Sequence, residues 1–306
     1  MSKTHSRPIT ERFATESVDN TYAGLDSWPA RDIVAAVTAA NAKAIAAVAA
    51  AEPELAAAAE GIEGRLARGG RLIYVGAGTS GRIGVQDAAE LPPTFGYDDA
   101  VVLLAGGSLA QTTAKEGAED DVEAALVDIA ATGVTADDAV VGLAASGGTP
   151  YTIAALKRAR EIGAFTVGIA NNPGSPLLNT GDVGVLLDTG PEVLAGSTRL
   201  AAGTAQKAAI NAVSTAVLVR LGGAYDNLMI GMRPVNEKLR HRAAAIVAQA
   251  AGLTTEQAAA TLASAGHDMR VAIVMAKSGA SAEASRELLE HSGGHVRRAL
   301  ELAAGR

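Results

Sequence analysis

Five short apolar runs, each closing on glycine or small polar residues and each followed by a helix-like stretch, constrain this chain more than any other feature. They are RLIYVGAG (71–78), AVVLLAGG (100–107), DAVVGLAAS (138–146), AFTVGIANN (164–172) and DVGVLLDTG (182–190). Runs of this kind suit strands buried on both faces. Their alternation with helical segments predicts an α/β fold, a doubly wound five-stranded parallel sheet. Ahead of them, 1–30 reads as an irregular arm with Pro8, Trp28 and Pro29, and 30–68 as two helices broken at Pro53. Beyond Gly196 the pattern is helical almost to the end. From about residue 243 it breaks into short alanine-rich helices punctuated by Gly252, Gly266, Gly279 and Gly293. The expected organisation is an N-terminal arm (1–30), an α/β ligand-binding domain (31–242) and a small helical C-terminal domain (243–306). No internal repeat is evident.

Composition narrows the function. The formal net charge over 306 residues is -7, so the chain lacks the basic field that captures nucleic acid. Cysteine is absent, which removes thiolate nucleophiles, disulfides and cysteine metal sites. The five histidines show no metal spacing, and no metal site is expected. No apolar run is seen to reach the roughly 20 residues that span a bilayer, and MSKTHSRPITERF lacks the apolar stretch of a signal peptide. A soluble, cytoplasmic protein with neither nucleic-acid nor membrane partner is the expectation. Aromatics are only 3%, while alanine makes up roughly a fifth of the residues, above ordinary usage. The core is therefore expected to be aliphatic and closely packed.

In an open parallel sheet, ligands bind beyond the carboxyl ends of the strands. The first such loop holds Gly76, Gly78, Thr79, Ser80, Gly81 and Arg82. Its glycines allow close backbone approach, and its hydroxyls sit at a helix N-terminus that favours anions. It is not a P-loop, since no GK[ST] follows, and it lacks the acidic ribose partner of a dinucleotide fold. Without a ligand the same loop is a tight turn with satisfied hydroxyls. The third strand ends in Ser146, Gly147, Gly148, Thr149 and Pro150, again hydroxyls framing glycines, with Pro150 where a helix begins. A third loop, 190–199, offers Glu192, Ser197 and Arg199. Arg199 is either a planar fork for an oxyanion or a surface residue.

Two acidic positions stand out. Glu90 precedes Leu91-Pro92-Pro93 at the expected end of the helix that follows the first loop. Burial there would raise its pKa and suit a general acid, although a solvated helix-end carboxylate fits the position equally well. Glu116 and Glu119 lie after the second strand, three residues apart and so on one face of a helix.

Together, GAGTSGRIGVQDAAELPPTFG (76–96), AKEGAEDD (114–121), GLAASGGTPY (142–151) and GPEVLAGSTRLAAGTAQK (190–207) closely resemble the N-acetylmuramic acid 6-phosphate etherases. These belong to the SIS (sugar isomerase) fold family, with the glucokinase regulatory protein as a relative. The likeness runs in order from TERF (10–13) to the C-terminal helices. It implies an SIS domain over 31–242 and a lyase without metal or nucleotide cofactor. The reaction implied is release of D-lactate from a phosphorylated amino sugar by elimination and rehydration, in peptidoglycan recycling. Glu90 matches the acid that protonates the departing ether oxygen, and Glu119 the base that handles the C2 proton and the water. The 6-phosphate is implied to sit among Thr79, Ser80, Ser146 and Thr149, in a homodimer with sites near the subunit boundary. Three positions depart from the family pattern: Gly148 replaces an Arg, Ala201 a Lys, and Ser108 an acidic residue. The loss of two cations leaves open a sugar-phosphate-binding regulator, or an isomerase of another phosphosugar.

Overall fold

The computed structural model describes residues 13–113, 115–234 and 236–305. The chain divides into two compact units. One comprises the chain to Ala88 and Asp99–Ser214; the other comprises Ala89–Asp98 and Thr215–Arg306.

All five expected strands form in the first unit: β1 (Leu72–Gly76), β2 (Ala100–Leu104), β3 (Ala139–Ala144), β4 (Phe165–Ala170) and β5 (Val183–Leu186). Every pairing is parallel and the order is β2-β1-β3-β4-β5. Successive side chains alternate between the faces of the sheet. Ile73, Val75 and Val140 pack on one face against Ala125 and Ile129 of α4 (Val122–Thr132) and Ala155, Leu156 and Ala159 of α5 (Pro150–Ile162). The alanines are fully buried, which lets the helices settle close to the strands. On the other face lie α2 (Glu52–Leu66) and α3 (Gly78–Phe95). There Gly61 abuts the Phe165 ring and Gly84 abuts Tyr74, contacts that leave no room for a Cβ.

Before β3, the buried Asp138 carboxylate accepts hydrogen bonds from the Arg71 amide (2.8 Å), the Arg71 guanidinium (2.8 Å) and the Thr135 amide (2.8 Å). Burial alone would raise its pKa, but the bonds from Arg71 and Thr135 outweigh it and hold the carboxyl below the usual range.

The two expected N-terminal helices are α1 (Ala30–Ala50) and α2, with the break at Ala51 and Pro53 in the first turn of α2. The expectation that no apolar run is long enough to cross a membrane is corrected here. Helix α1 has 21 residues and a mean hydropathy of 1.8 over its best window, of which 17% is buried. Its many alanines, each weakly apolar, sum to that value. The arm is only partly irregular. Thr15 is fully buried, and its amide donates to Asn172 Oδ1 (3.1 Å) after β4.

In the second unit the expectation of continuous helix fails after α6 (Ala201–Leu218). A π-helical segment, Val219–Gly223, leads into an antiparallel hairpin of β6 (Ala224–Tyr225) and β7 (Leu228–Met229), turned at Asp226 with φ +50°. Among the described residues, five helices follow: α7 (Glu237–Ala251), α8 (Thr255–Ser264), α9 (Met269–Ser278), α10 (Ala282–His291) and α11 (Val296–Ala304).

An internal repeat is also present. The pair α10–α11 repeats α8–α9, with Leu262, Gly266, Met269 and Ala272 answered by Leu289, Gly293, Val296 and Ala299. The apolar members of both sets are buried in one core.

Candidate active site

The first loop is shaped by packing between strand and helix. A Cβ at Gly76 would lie 2.8 Å from the Gly81 amide, and one at Gly81 would lie 2.4 Å from Leu104. Glycine at both positions lets α3 start directly against the sheet, with Thr79 and Ser80 in its first turn, where free amides and the helix dipole favour an anion. Ser80 is buried and Thr79 half-buried. Arg82 turns elsewhere: its Nε donates to the Ala110 carbonyl at 2.9 Å and ties α3 to the turn after β2.

The loop after β3 is equally determined. Gly147 holds φ +66°, and a Cβ there would lie 2.1 Å from Ser175 Oγ. Its amide donates to Ala144 (3.0 Å) and its carbonyl accepts from Leu177 (3.0 Å). The Gly148 amide donates to Ser146 Oγ at 3.1 Å. Thr149 precedes Pro150 at the start of α5 and caps it without using its side chain. Gly76 pairs with Leu143, so the Thr79–Ser80 loop and the Ser146–Thr149 loop leave neighbouring strands at one edge of the sheet. With this strand order, that edge between β1 and β3 is the topological switch point, where such sheets bind ligands.

After β5, Glu192 is buried, and its two oxygens accept the Ala201 and Ala202 amides at 2.9 Å each, capping α6. Ser197 is half-buried. Arg199 is exposed and makes no hydrogen bond or ion pair among the described residues.

Two buried networks behind these loops escaped the sequence reading. Asn172 donates to Thr15 Oγ1 (2.9 Å) and the Ala145 carbonyl (3.0 Å), while Asn171 donates to Leu187 (2.9 Å) and accepts from Gln206 (3.1 Å). The paired asparagines closing the fourth strand were the available signal. Asp87, 1% exposed, accepts from Tyr74 (2.7 Å) and from Asn211, with Lys207 Nζ at 3.9 Å.

The two acids lie in different units, Glu119 in the first and Glu90 in the second. Helix α3 does not end at the prolines as expected. It continues through Pro92 and Pro93 to Phe95, and Gly96, with φ +67°, donates to the Pro92 carbonyl (3.0 Å) to close the last turn. Glu90 is exposed, so the buried carboxyl that the sequence allowed for is not what the chain shows. It lines a cavity of about 590 Å³ with Pro92, Pro93, Met229, Met232 and Arg242. Glu119 is exposed in a single 3-10 turn, Ala118–Asp120. Glu116 does not share a helix face with it, because Gly117 at φ +73° turns the chain between them. Residues 10–12 of TERF and Ala114 of the 114–121 motif lie outside the described residues. Among the described residues, no group of three or more acidic or histidine side chains gathers as a metal site would require.

The SIS domain matches residues 122–216, and the glucokinase regulatory protein N-terminal SIS domain matches 54–160. An N-acetylmuramic acid 6-phosphate etherase of Deinococcus radiodurans is 48% identical over 95% of this chain and 96% of its own length. The chain belongs to the N-acetylmuramic acid 6-phosphate etherase family. Etherases of Geobacillus thermodenitrificans (44% identical, 96% of this chain, all of the relative) and Streptomyces avermitilis (46%, 99% of each) agree. Membership covers both compact units, so the helical part after residue 214 belongs to the family pattern as much as the sheet does.

Proposed function

We propose that this chain is a carbon-oxygen lyase that cleaves the D-lactyl ether of N-acetylmuramic acid 6-phosphate, giving N-acetylglucosamine 6-phosphate and D-lactate. The observation that carries the reading is identity to etherases over nearly the whole chain, with both candidate glutamates present.

In the open-chain sugar, the C1 aldehyde acidifies the C2 proton. Glu119 takes that proton, C2=C3 forms, the C3–O bond breaks, and Glu90 protonates the departing lactate oxygen. Water then adds at C3 as a proton returns to C2. The phosphate is held at the β1/β3 edge by Thr79, Ser80, Gly81, Ser146, Gly147 and Thr149. Ser197 and Arg199 line its approach, Arg82 supports the loop by fixing α3 to Ala110, and Glu192 sets the start of α6. The two hydroxyl loops on adjacent strands support this placement.

A homodimer completing the site and a cytoplasmic location belong to the same proposal. So does a functional division into an arm (1–30), a sugar-phosphate-binding domain (31–242) and a helical domain (243–306). The absent cations at Gly148 and Ala201 favour a second reading, a phosphosugar-binding regulator or an isomerase. D-lactate release from the purified protein separates them, because neither alternative releases lactate.

A further inference from the structure

The cavity beside Glu90 carries an inference that rests on the etherase reading and deepens it. It lies wholly within the second unit. The two backbone stretches that carry most of its lining cross nearby: a Cβ on Gly96 would lie 2.6 Å from the Gly231 carbonyl, and one on Gly231 would lie 2.3 Å from that of Phe95. This crossing brings Pro92 and Pro93 opposite Met229 and the buried Met232, making apolar walls. Two cations border the space. Arg233 is already paired with Asp98 at 2.7 Å. Arg242 has no ion-pair or hydrogen-bond partner among the described residues. It stands three residues after Leu239 on the same face of α7, and both line the cavity.

A carboxyl group, an unspent guanidinium and apolar walls in one cavity match a specific chemistry. The group the reaction removes carries an ether oxygen, a methyl and a carboxylate around one carbon. We propose that this cavity is the lactyl subsite and that Arg242 determines specificity by binding the lactyl carboxylate. The guanidinium fork matches a carboxylate in a bidentate arrangement, the prolines and methionines receive the methyl, and the ether oxygen faces Glu90. As the C3–O bond breaks, the Glu90 proton goes to that oxygen and the product leaves as a hydroxy acid whose carboxylate stays on Arg242 until release.

The test compares Arg242→Ala and Arg242→Lys with the unaltered full-length protein in two reactions. One is D-lactate release from N-acetylmuramic acid 6-phosphate. The other is exchange of the C2 proton of N-acetylglucosamine 6-phosphate in deuterated water, a sugar without a lactyl group. Arg242→Ala is expected to lower kcat/KM for lactate release by about 10- to 100-fold, mainly through KM, with Arg242→Lys recovering part of it. Exchange is expected to change less than twofold in both variants. Lactate release within twofold of the unaltered protein, or an equal fall in both reactions, overturns the lactyl subsite while the etherase reading stands. If the unaltered protein releases no lactate, the etherase reading fails and the subsite fails with it.

Discussion

Gly147 and Gly148 are adjacent in the candidate phosphate loop, yet their replacement by alanine should have opposite consequences. At Gly147 the backbone is left-handed, φ +66°, which costs an alanine about 1–2 kcal/mol. A new Cβ would also lie 2.1 Å from Ser175 Oγ, 2.5 Å from Ser175 Cβ and 2.8 Å from Ala170 Cβ. Ser175 is 2% exposed and cannot swing into solvent. Overpacking of this kind costs about 1–3 kcal/mol, so Gly147→Ala should cost about 2–5 kcal/mol. In a unit of this size that corresponds to a melting temperature lower by about 5–15 °C. At Gly148 the nearest atom to a new Cβ is Phe13 Cζ at 3.5 Å, an ordinary contact, and the backbone is not left-handed. Gly148→Ala should leave stability unchanged or raise it by about 0.5 kcal/mol, through the smaller freedom of the unfolded chain. Thermal and urea unfolding followed by circular dichroism measure both. Adding Ser175→Gly to Gly147→Ala should recover part of the packing cost and none of the backbone cost. If Gly147→Ala melts within 2 °C of the unaltered protein, or no lower than Gly148→Ala, the packing of this loop has been misread.

Gly148→Arg returns a cation to a position with room for a side chain. It should lower KM for the phosphosugar by about tenfold; an unchanged or higher KM in steady-state kinetics counts against the phosphate placement. Glu90→Gln and Glu119→Gln should each reduce turnover by about 100-fold or more. Both side chains are exposed, so their melting curves should match the unaltered protein, and near-normal rates in either would remove its role. Asp138→Asn should cost about 2 kcal/mol at pH 7, because a buried carboxylate loses its pairing with Arg71. The native pKa of Asp138 is lowered, so its stabilisation is present above the unfolded value of about 3.9 and lost as pH falls through the native value. Urea titrations at pH 7 and pH 3 should show the gap between variant and parent narrowing in acid; a constant gap refutes the ionic contribution.

Much of the sheet was legible because its signal is local. A buried parallel strand needs an apolar run, and Gly76, which ends the first strand, is required by the contact of α3 with β1. The hairpin at Ala224–Met229 escaped because two-residue strands show no period. Gly117 decided the relation of Glu116 to Glu119, since a spacing of three places side chains on one face only if a helix exists between them. The repeat in α8–α11 was obscured because alanine recurs at buried and exposed positions alike, and burial rather than residue type reveals it. The Asp87 and Asn171–Asn172 networks join residues far apart in sequence, and no local pattern announces such pairings. For the candidate site, the hydroxyl loops could be read from residue type, and their adjacency followed from strand order. Arg242 could not be singled out, because its distinction is the absence of a partner among the described residues, in a folded cavity.

The most direct test is D-lactate release from N-acetylmuramic acid 6-phosphate by the purified protein, with Glu90→Gln alongside. Release by the unaltered protein that falls at least 100-fold in the variant is the expected result. No release, with N-acetylglucosamine 6-phosphate still raising the melting temperature, would contradict the etherase assignment and leave a phosphosugar-binding protein in its place.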